Sequence, residues 1–148
     1  MRLVIQRIIH ARVVSEGKVV AEIASGMLIL AGIGRSDSYA EAQYLAKRVP
    51  ELRIFKDDAG KMNLNLKQAN GSLLLVPNFT LYGDCSRGRR PGFDAAARPE
   101  IAKPLFDYLV SLFMNNNIPT ESGIFGADMQ VELINDGPVT FVLESPLR

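Results

Sequence analysis

Apolar positions alternate with polar ones in some stretches of the chain and recur at helical spacing in others. Residues 2–9 are mostly apolar and rich in Val and Ile, which predicts a strand. "VVSEGKVVAEI" at 13–23 predicts a hairpin turning at Glu16-Gly17. "MLILAGI" at 27–33 is continuously apolar, as a strand buried on both faces would be. Ser38 and Glu41 have capping-box spacing. Ala42, Leu45, Ala46 and Val49 follow at helical intervals, and Pro50 ends that helix. A turn is expected at Asp57–Gly60, and "SLLLVPNFTL" at 72–81 predicts a buried strand running into a Pro77-Asn78 break. Pro99 suits the first turn of a second helix. Its apolar stripe is expected on Ile101, Leu105, Tyr108, Leu109 and Leu112, and Asn115–Asn117 with Pro119 should close it. "MQVELIN" places Met129, Val131 and Leu133 on one face, and "VTFVLES" follows as the last strand. The sum is roughly seven strands and two helices in one mixed α/β unit, with no internal repeat, linker or low-complexity segment.

Between the last two strands stands "NDGPVT", 135–140. Proline has no N–H and is usually kept out of a central strand. Asn135, Asp136, Gly137 and Pro138 are all turn residues, so on local sequence a hairpin turn is the simpler expectation. The competing reading is a backbone shape held for function, such as a cis peptide.

The chain has 148 residues, 47% hydrophobic and 22% charged, the composition of an ordinary single globular domain. A chain this long buries about 68–70% of its unfolded surface without a disulfide or metal staple. No apolar run is long enough to span a bilayer, no signal peptide is evident, and the lone Cys85 forms no internal disulfide. A reducing, cytoplasmic location and no membrane association are expected. The net charge of +1 is uninformative, but between Cys85 and Arg98 four arginines (Arg87, Arg89, Arg90, Arg98) face one aspartate, Asp94. Gly88, Pro91 and Gly92 make this a loop. It is either a solvated surface segment or one that follows a phosphate backbone.

The inventory of reactive groups is short. One histidine, His10, and one cysteine, Cys85, rule out a zinc site of the usual Cys/His type and leave little for a triad. There is no phosphate-binding glycine loop of either common type; "GIGRSD" at 32–37 is a weak likeness. Asp57 and Asp58 suit a solvated turn better than a cation site. Cys85 lies beside arginines, a setting that can favour a reactive thiol, but it has no evident partner base. Thr80 ordinarily packs through its methyl. A hydrolase built on this chain would take its base from the substrate, or rely on backbone N–H groups and positioning. No metal or cofactor is called for.

Several stretches together are specific: "IQR" at 5–7, "GKMNLN" at 60–65, "NFTLYGD" at 78–84, "RRPGFDAAARPE" at 89–100 and "GIFGADMQVELINDGPVTF" at 123–141. In order and spacing the whole chain resembles the D-aminoacyl-tRNA deacylases (D-tyrosyl-tRNA(Tyr) deacylases). The resemblance implies one domain over 1–148, with mixed, largely antiparallel sheets and two main helices in three layers, helix/sheet/sheet. It implies a homodimer that acts on the D-aminoacylated 3′ end of tRNA. Gly137 and Pro138 would form a cis pair reaching into the partner's active site, where their carbonyls exclude an L side chain. Arg7 would brace them. The backbone N–H of Phe79 would steady the ester carbonyl oxygen, Thr80 would position the substrate, and the ribose 2′-hydroxyl would help activate water. Pro77, Asn78 and Phe125, Gly126, Ala127 and Met129 would line the pocket. Arg87, Arg89 and Arg90 would meet tRNA phosphates.

One departure stands out. The family's usual Ser-Gln-Phe-Thr-Leu is here Pro77-Asn78-Phe79-Thr80-Leu81. A related branch of relaxed chirality also carries proline first, but lacks the phenylalanine. The departure bears on pocket shape, rate and strictness. Two rival readings follow from it: an editing deacylase of relaxed chirality, which would cleave a small L-aminoacyl-tRNA, and a tRNA-binding module without catalysis.

Overall fold

A computed structural model describes residues 1–146. Strand β1 (Arg2–Ser15) turns at Glu16-Gly17 into β2 (Lys18–Ile23), and β3 (Gly26–Gly32) follows. The first strand and the first arm of the expected hairpin are one 14-residue strand. Helix α1 (Tyr39–Arg48) has the anticipated capping box, with Glu41 Oε2 accepting the Ser38 N–H at 2.7 Å. It ends in a 3-10 turn, Val49–Glu51, that contains Pro50. A small hairpin, β4 (Phe55–Lys56) and β5 (Met62–Leu64), precedes β6 (Ser72–Pro77) and a second 3-10 turn, Phe79–Tyr82. Helix α2 (Pro99–Asn115), β7 (Thr120–Ser122) and β8 (Gln130–Glu144) complete the order.

The main sheet runs β2-β1-β3-β6-β7, with β8 on the other side of β1. Pairings through β1 are antiparallel; β3–β6 and β6–β7 are parallel. The long strands twist, and the sheet curls until β2 lies over β6 and β7. Alternate residues therefore supply two cores. Ile8, Ala11, Val13, Leu28, Leu74 and Val76 meet inside the curl, with Met129, Val131 and Leu133 packed against them. Leu3, Ile5, Met27, Ile29, Leu73 and Leu75 point to the other face, under both helices. The layers are helix, sheet and sheet, as expected.

Two expectations are corrected. The buried stripe of α2 is Ala102, Leu105, Phe106, Leu109, Val110 and Phe113, and Ile101 is 48% exposed. Burying Phe106 and Phe113 rotates the helix, and Tyr108 turns to α1, edge-on to Tyr39 at 4.9 Å. Truncating Phe113 to Ala would cost about 3–5 kcal/mol.

The second correction concerns "NDGPVT". It makes no hairpin turn; it lies inside β8. Gln6 pairs with Thr140 and Ile8 with Asn135, so Asp136 to Val139 stand opposite Arg7 alone. This is a large bulge in a strand pair. Side chains satisfy its backbone. Asn135 Nδ2 donates to Arg7 O (3.1 Å) and Val139 O (2.8 Å), while its Oδ1 accepts from Val139 N (3.0 Å). The Gly137–Pro138 peptide within the bulge is cis.

Candidate active site

Strands β3 and β6 run parallel with Ala31 opposite Pro77, so both end at one rim. Beyond it the chain breaks into the Phe79–Tyr82 turn. Asn78 N–H donates to Ala31 O at 2.8 Å, anchoring the break to β3. Asn78 then caps the turn: its Oδ1 accepts from the Thr80 N–H at 3.2 Å and also from the Thr80 hydroxyl. Asparagine is short enough to reach two residues ahead, which is why it favours such caps.

The turn sits close on the exit of β3. A Cβ on Gly32 would lie 3.0 Å from Leu81 Cβ and 3.2 Å from Asn78 O, and one on Gly34 would lie 2.9 Å from the Tyr82 ring. Arg2 clamps it from outside, with its guanidinium 5.1 Å from the Tyr82 ring centre and Nη1 donating to Leu81 O at 2.6 Å. Burial, together with the negative charge of Asp37, pushes the Tyr82 phenol up to about 12; Arg2 opposes this in part.

Phe79 opens the turn, and its N–H has no partner among the described residues. This is one of the orphan donors that a helix start always leaves. Its ring is 57% exposed and meets Phe93 edge-on at 5.0 Å. The 93–97 segment is held to the exit of β3 by Arg35 N–H to Ala95 O (3.0 Å) and Ala97 N–H to Ile33 O (2.9 Å). On the far side, Gly123 N–H bonds Leu75 O at 2.8 Å, and Phe125 leans on Phe106. Between these walls lies a cleft of about 400 Å³, and among the described residues Arg98 is the only charged one lining it.

The fold thus gathers Pro77, Asn78, Phe79, Phe125 and Gly126 around one cleft. Thr80 stands beside it with its hydroxyl given to Asn78. Ala127 and Met129 shape the neighbouring loop: Ala127 N–H bonds Ile124 O at 3.3 Å, and Met129 Sδ accepts from Ile124 N at 3.3 Å. Met129 faces a separate cavity beside Val14 and Glu16. Arg7, Gly137 and Pro138 stand on the β1–β8 pair, outside the cleft lining of their own chain.

Arg87, Arg89 and Arg90 project from a loop pinched at its neck by Asp84 N–H to Gly92 O (2.7 Å) and the reciprocal bond (2.9 Å). No ion pair holds them among the described residues. His10 Nε2 contacts Glu22 Oε1 at 2.7 Å on the surface, and Cys85 is exposed. Among the described residues no three His, Cys, Asp or Glu side chains gather as metal ligands, and no helix is long and apolar enough to cross a membrane. Sequence reasoning passed over Phe93 and Arg98 as cleft residues. The available signal was an aromatic and a cation flanking Asp94 and three alanines at 93–98.

The chain is similar to several known proteins. The family model described as D-Tyr-tRNA(Tyr) deacylase matches residues 4–144. A curated relative from Thermosipho africanus, named D-aminoacyl-tRNA deacylase, is 52% identical across 98% of this chain and 97% of its own. Another of that name, from Chlorobaculum parvum, is 52% identical across the whole of both chains. Among solved structures, the c-Myc DNA Unwinding Element Binding Protein matches with a TM-score of 0.91 at 32% identity, covering 99% of this chain and 100% of its own.

Proposed function

The chain belongs to the D-Tyr-tRNA(Tyr) deacylase family, and on that premise we propose that it hydrolyses the ester of D-aminoacyl-tRNA, releasing D-amino acid and tRNA. The observation that carries the reading is the unpartnered Phe79 N–H at the cleft. Water adds to the ester carbonyl carbon, and its oxygen gains negative charge. A backbone donor already fixed in place stabilises that charge without reorganising. The bond from carbonyl carbon to ribose oxygen then breaks, and the ribose oxygen takes a proton. No histidine or carboxylate among the described residues lines the cleft, so the neighbouring ribose 2′-hydroxyl is the group proposed to help draw the proton from water. Thr80, held by Asn78, positions the substrate.

Handedness is proposed to come from a second copy of the chain, whose Gly137-Pro138 carbonyls occupy the space an L side chain needs. Both residues are exposed, and Ile134, Phe141 and Val142 around them leave apolar side chains in solvent. Exposed apolar side chains on a strand whose far edge is unpaired among the described residues suit a homodimer contact. The exposed arginines Arg87, Arg89 and Arg90 suit tRNA phosphates. The reading takes residues 1–148 as one deacylase domain working in the cytoplasm.

Deacylation of matched D-tyrosyl-tRNA and L-tyrosyl-tRNA by the purified protein, with a chelator present, tests it. Loss of the D ester alone is expected, and loss of neither would overturn it. Because Pro77 lines the cleft, the relaxed-chirality reading is the second one; loss of both esters would put it first.

A further inference from the structure

We propose that Arg98 receives the phosphodiester joining the terminal adenosine of the substrate to the rest of the tRNA. The inference rests on the deacylase reading above and adds a residue to its substrate site. Among the described residues Arg98 is the one charged residue lining the cleft, and no described carboxylate pairs with it. Its backbone does structural work, since its carbonyl accepts from Ile101 N–H (3.0 Å) and Ala102 N–H (2.9 Å) to start α2. Its side chain makes no cap hydrogen bond. The neighbouring cation Arg35 is committed, because its Nη1 donates to Asp94 O at 3.1 Å.

Arg98 is exposed at the cleft and in no described ion pair, so its guanidinium is solvated and open to an anion that arrives with the substrate. The reacting end of the substrate supplies no such group: the ester is neutral and the α-amino group neutral or cationic. The nearest obligatory negative charge is the phosphate 5′ to the terminal ribose. Arg98 also closes the segment that carries Arg87, Arg89 and Arg90. A guanidinium fork suits two phosphate oxygens where a lysine would offer only a point charge.

The test compares D-tyrosyl-tRNA with the phosphate-free ester D-tyrosyl-adenosine, using wild type, Arg98→Ala and Arg98→Lys. Arg98→Ala is expected to raise KM about tenfold more for the tRNA ester than for the adenosine ester, the loss of one partly exposed charged hydrogen-bond pair. The salt dependence of tRNA binding should fall by about one unit of slope, and Arg98→Lys should recover part of the KM. Thermal melts of all three proteins should coincide, since no side-chain cap is removed. An equal change for both esters, or no change for either, overturns the proposal. A defect confined to D-aspartyl-tRNA overturns it too, because Arg98 would then be reading a side-chain carboxylate. If wild type cleaves neither ester, the deacylase reading fails and the inference falls with it.

Discussion

Arg7 grips Asp136 twice: its Nε lies 2.9 Å from the backbone carbonyl and 3.0 Å from the carboxylate. The same guanidinium donates through Nη1 to Ile54 O at 2.7 Å. The Arg7 side chain is only 2% exposed and its bond to Ile54 O is buried, whereas the Asp136 carboxylate is 41% exposed. One arginine thereby ties the bulge in β8 to the segment ahead of the small hairpin.

Replacing Arg7 with alanine should therefore destabilise the fold by about 1–3 kcal/mol, since it strands the buried Ile54 carbonyl, while the half-exposed Asp136 carboxylate turns to water. Arg7→Lys should recover only part, because one ammonium cannot reach in both directions. Urea unfolding measures the stability. On the proposed function, the rate ratio for D-tyrosyl-tRNA over L-tyrosyl-tRNA should fall in whichever variant still folds.

Asn78 offers a separate handle. Its Oδ1 takes both the N–H and the hydroxyl of Thr80, which fixes the turn that presents the Phe79 N–H. Asn78→Ala should cost about 1 kcal/mol as a lost cap and lower kcat by roughly 10²-fold, the scale on which oxyanion donors matter, with a smaller change in KM. Asn78→Asp keeps an acceptor and should keep the stability, so a melt beside the kinetics separates cap from catalysis.

These two residues also mark what could be read from the chain. The α1 capping box is local: Ser38 and Glu41 are three residues apart and satisfy each other. The break at Pro77-Asn78 is local for the same reason. "NDGPVT" has the composition of a turn, and local reasoning makes it one. It is a bulge within a strand because Arg7, 129 residues earlier in sequence, satisfies its backbone. The face of α2 was misjudged by one position because Phe106 and Phe113 choose it through tertiary burial. Phe79 and Thr80 were nominated by resemblance, and Phe93 and Arg98 were missed. Backbone bonds from the exit of β3 to residues 95 and 97 bring those two to the cleft, and no periodicity records such bonds.

Tyr82 predicts how stability responds to alkali. Its phenol is raised from 10.0 to about 12 by burial and by Asp37. The folded state thus holds its proton above the pH at which the unfolded chain releases it. The stabilisation is complete below about pH 10 and lost as pH climbs to about 12. Tyr82→Phe should flatten the decline of urea midpoints across that window, and an unchanged slope would show that other groups govern it.

His10 and Cys85 predict by being dispensable. Cys85 is exposed, the His10 side chain is 42% exposed, and both lie outside the cleft lining. His10→Ala and Cys85→Ala should each keep kcat/KM within about twofold and stability within about 0.5 kcal/mol. A chelator should leave the wild-type rate unchanged. Loss of activity on His10→Ala in a protein that still folds would sink the substrate-assisted mechanism.

The arginine loop makes the last prediction. Arg87, Arg89 and Arg90 hang from a neck closed by two backbone hydrogen bonds between Asp84 and Gly92, so replacing all three with alanine should leave the melting temperature in place. If each meets one phosphate, the logarithm of tRNA affinity should depend less steeply on the logarithm of salt, by about 2–3 units of slope. The loss should be large at low ionic strength and fade as salt screens the contacts, within a Debye length of about 10 Å at 0.1 M. It should also be the same for tRNAs of different sequence, because phosphate contacts carry no base reading. The adenosine ester has no phosphate and should be hydrolysed by the triple variant much as by wild type. Equal impairment on that ester would mean the loop shapes the cleft through Phe93 and does not bind the tRNA backbone.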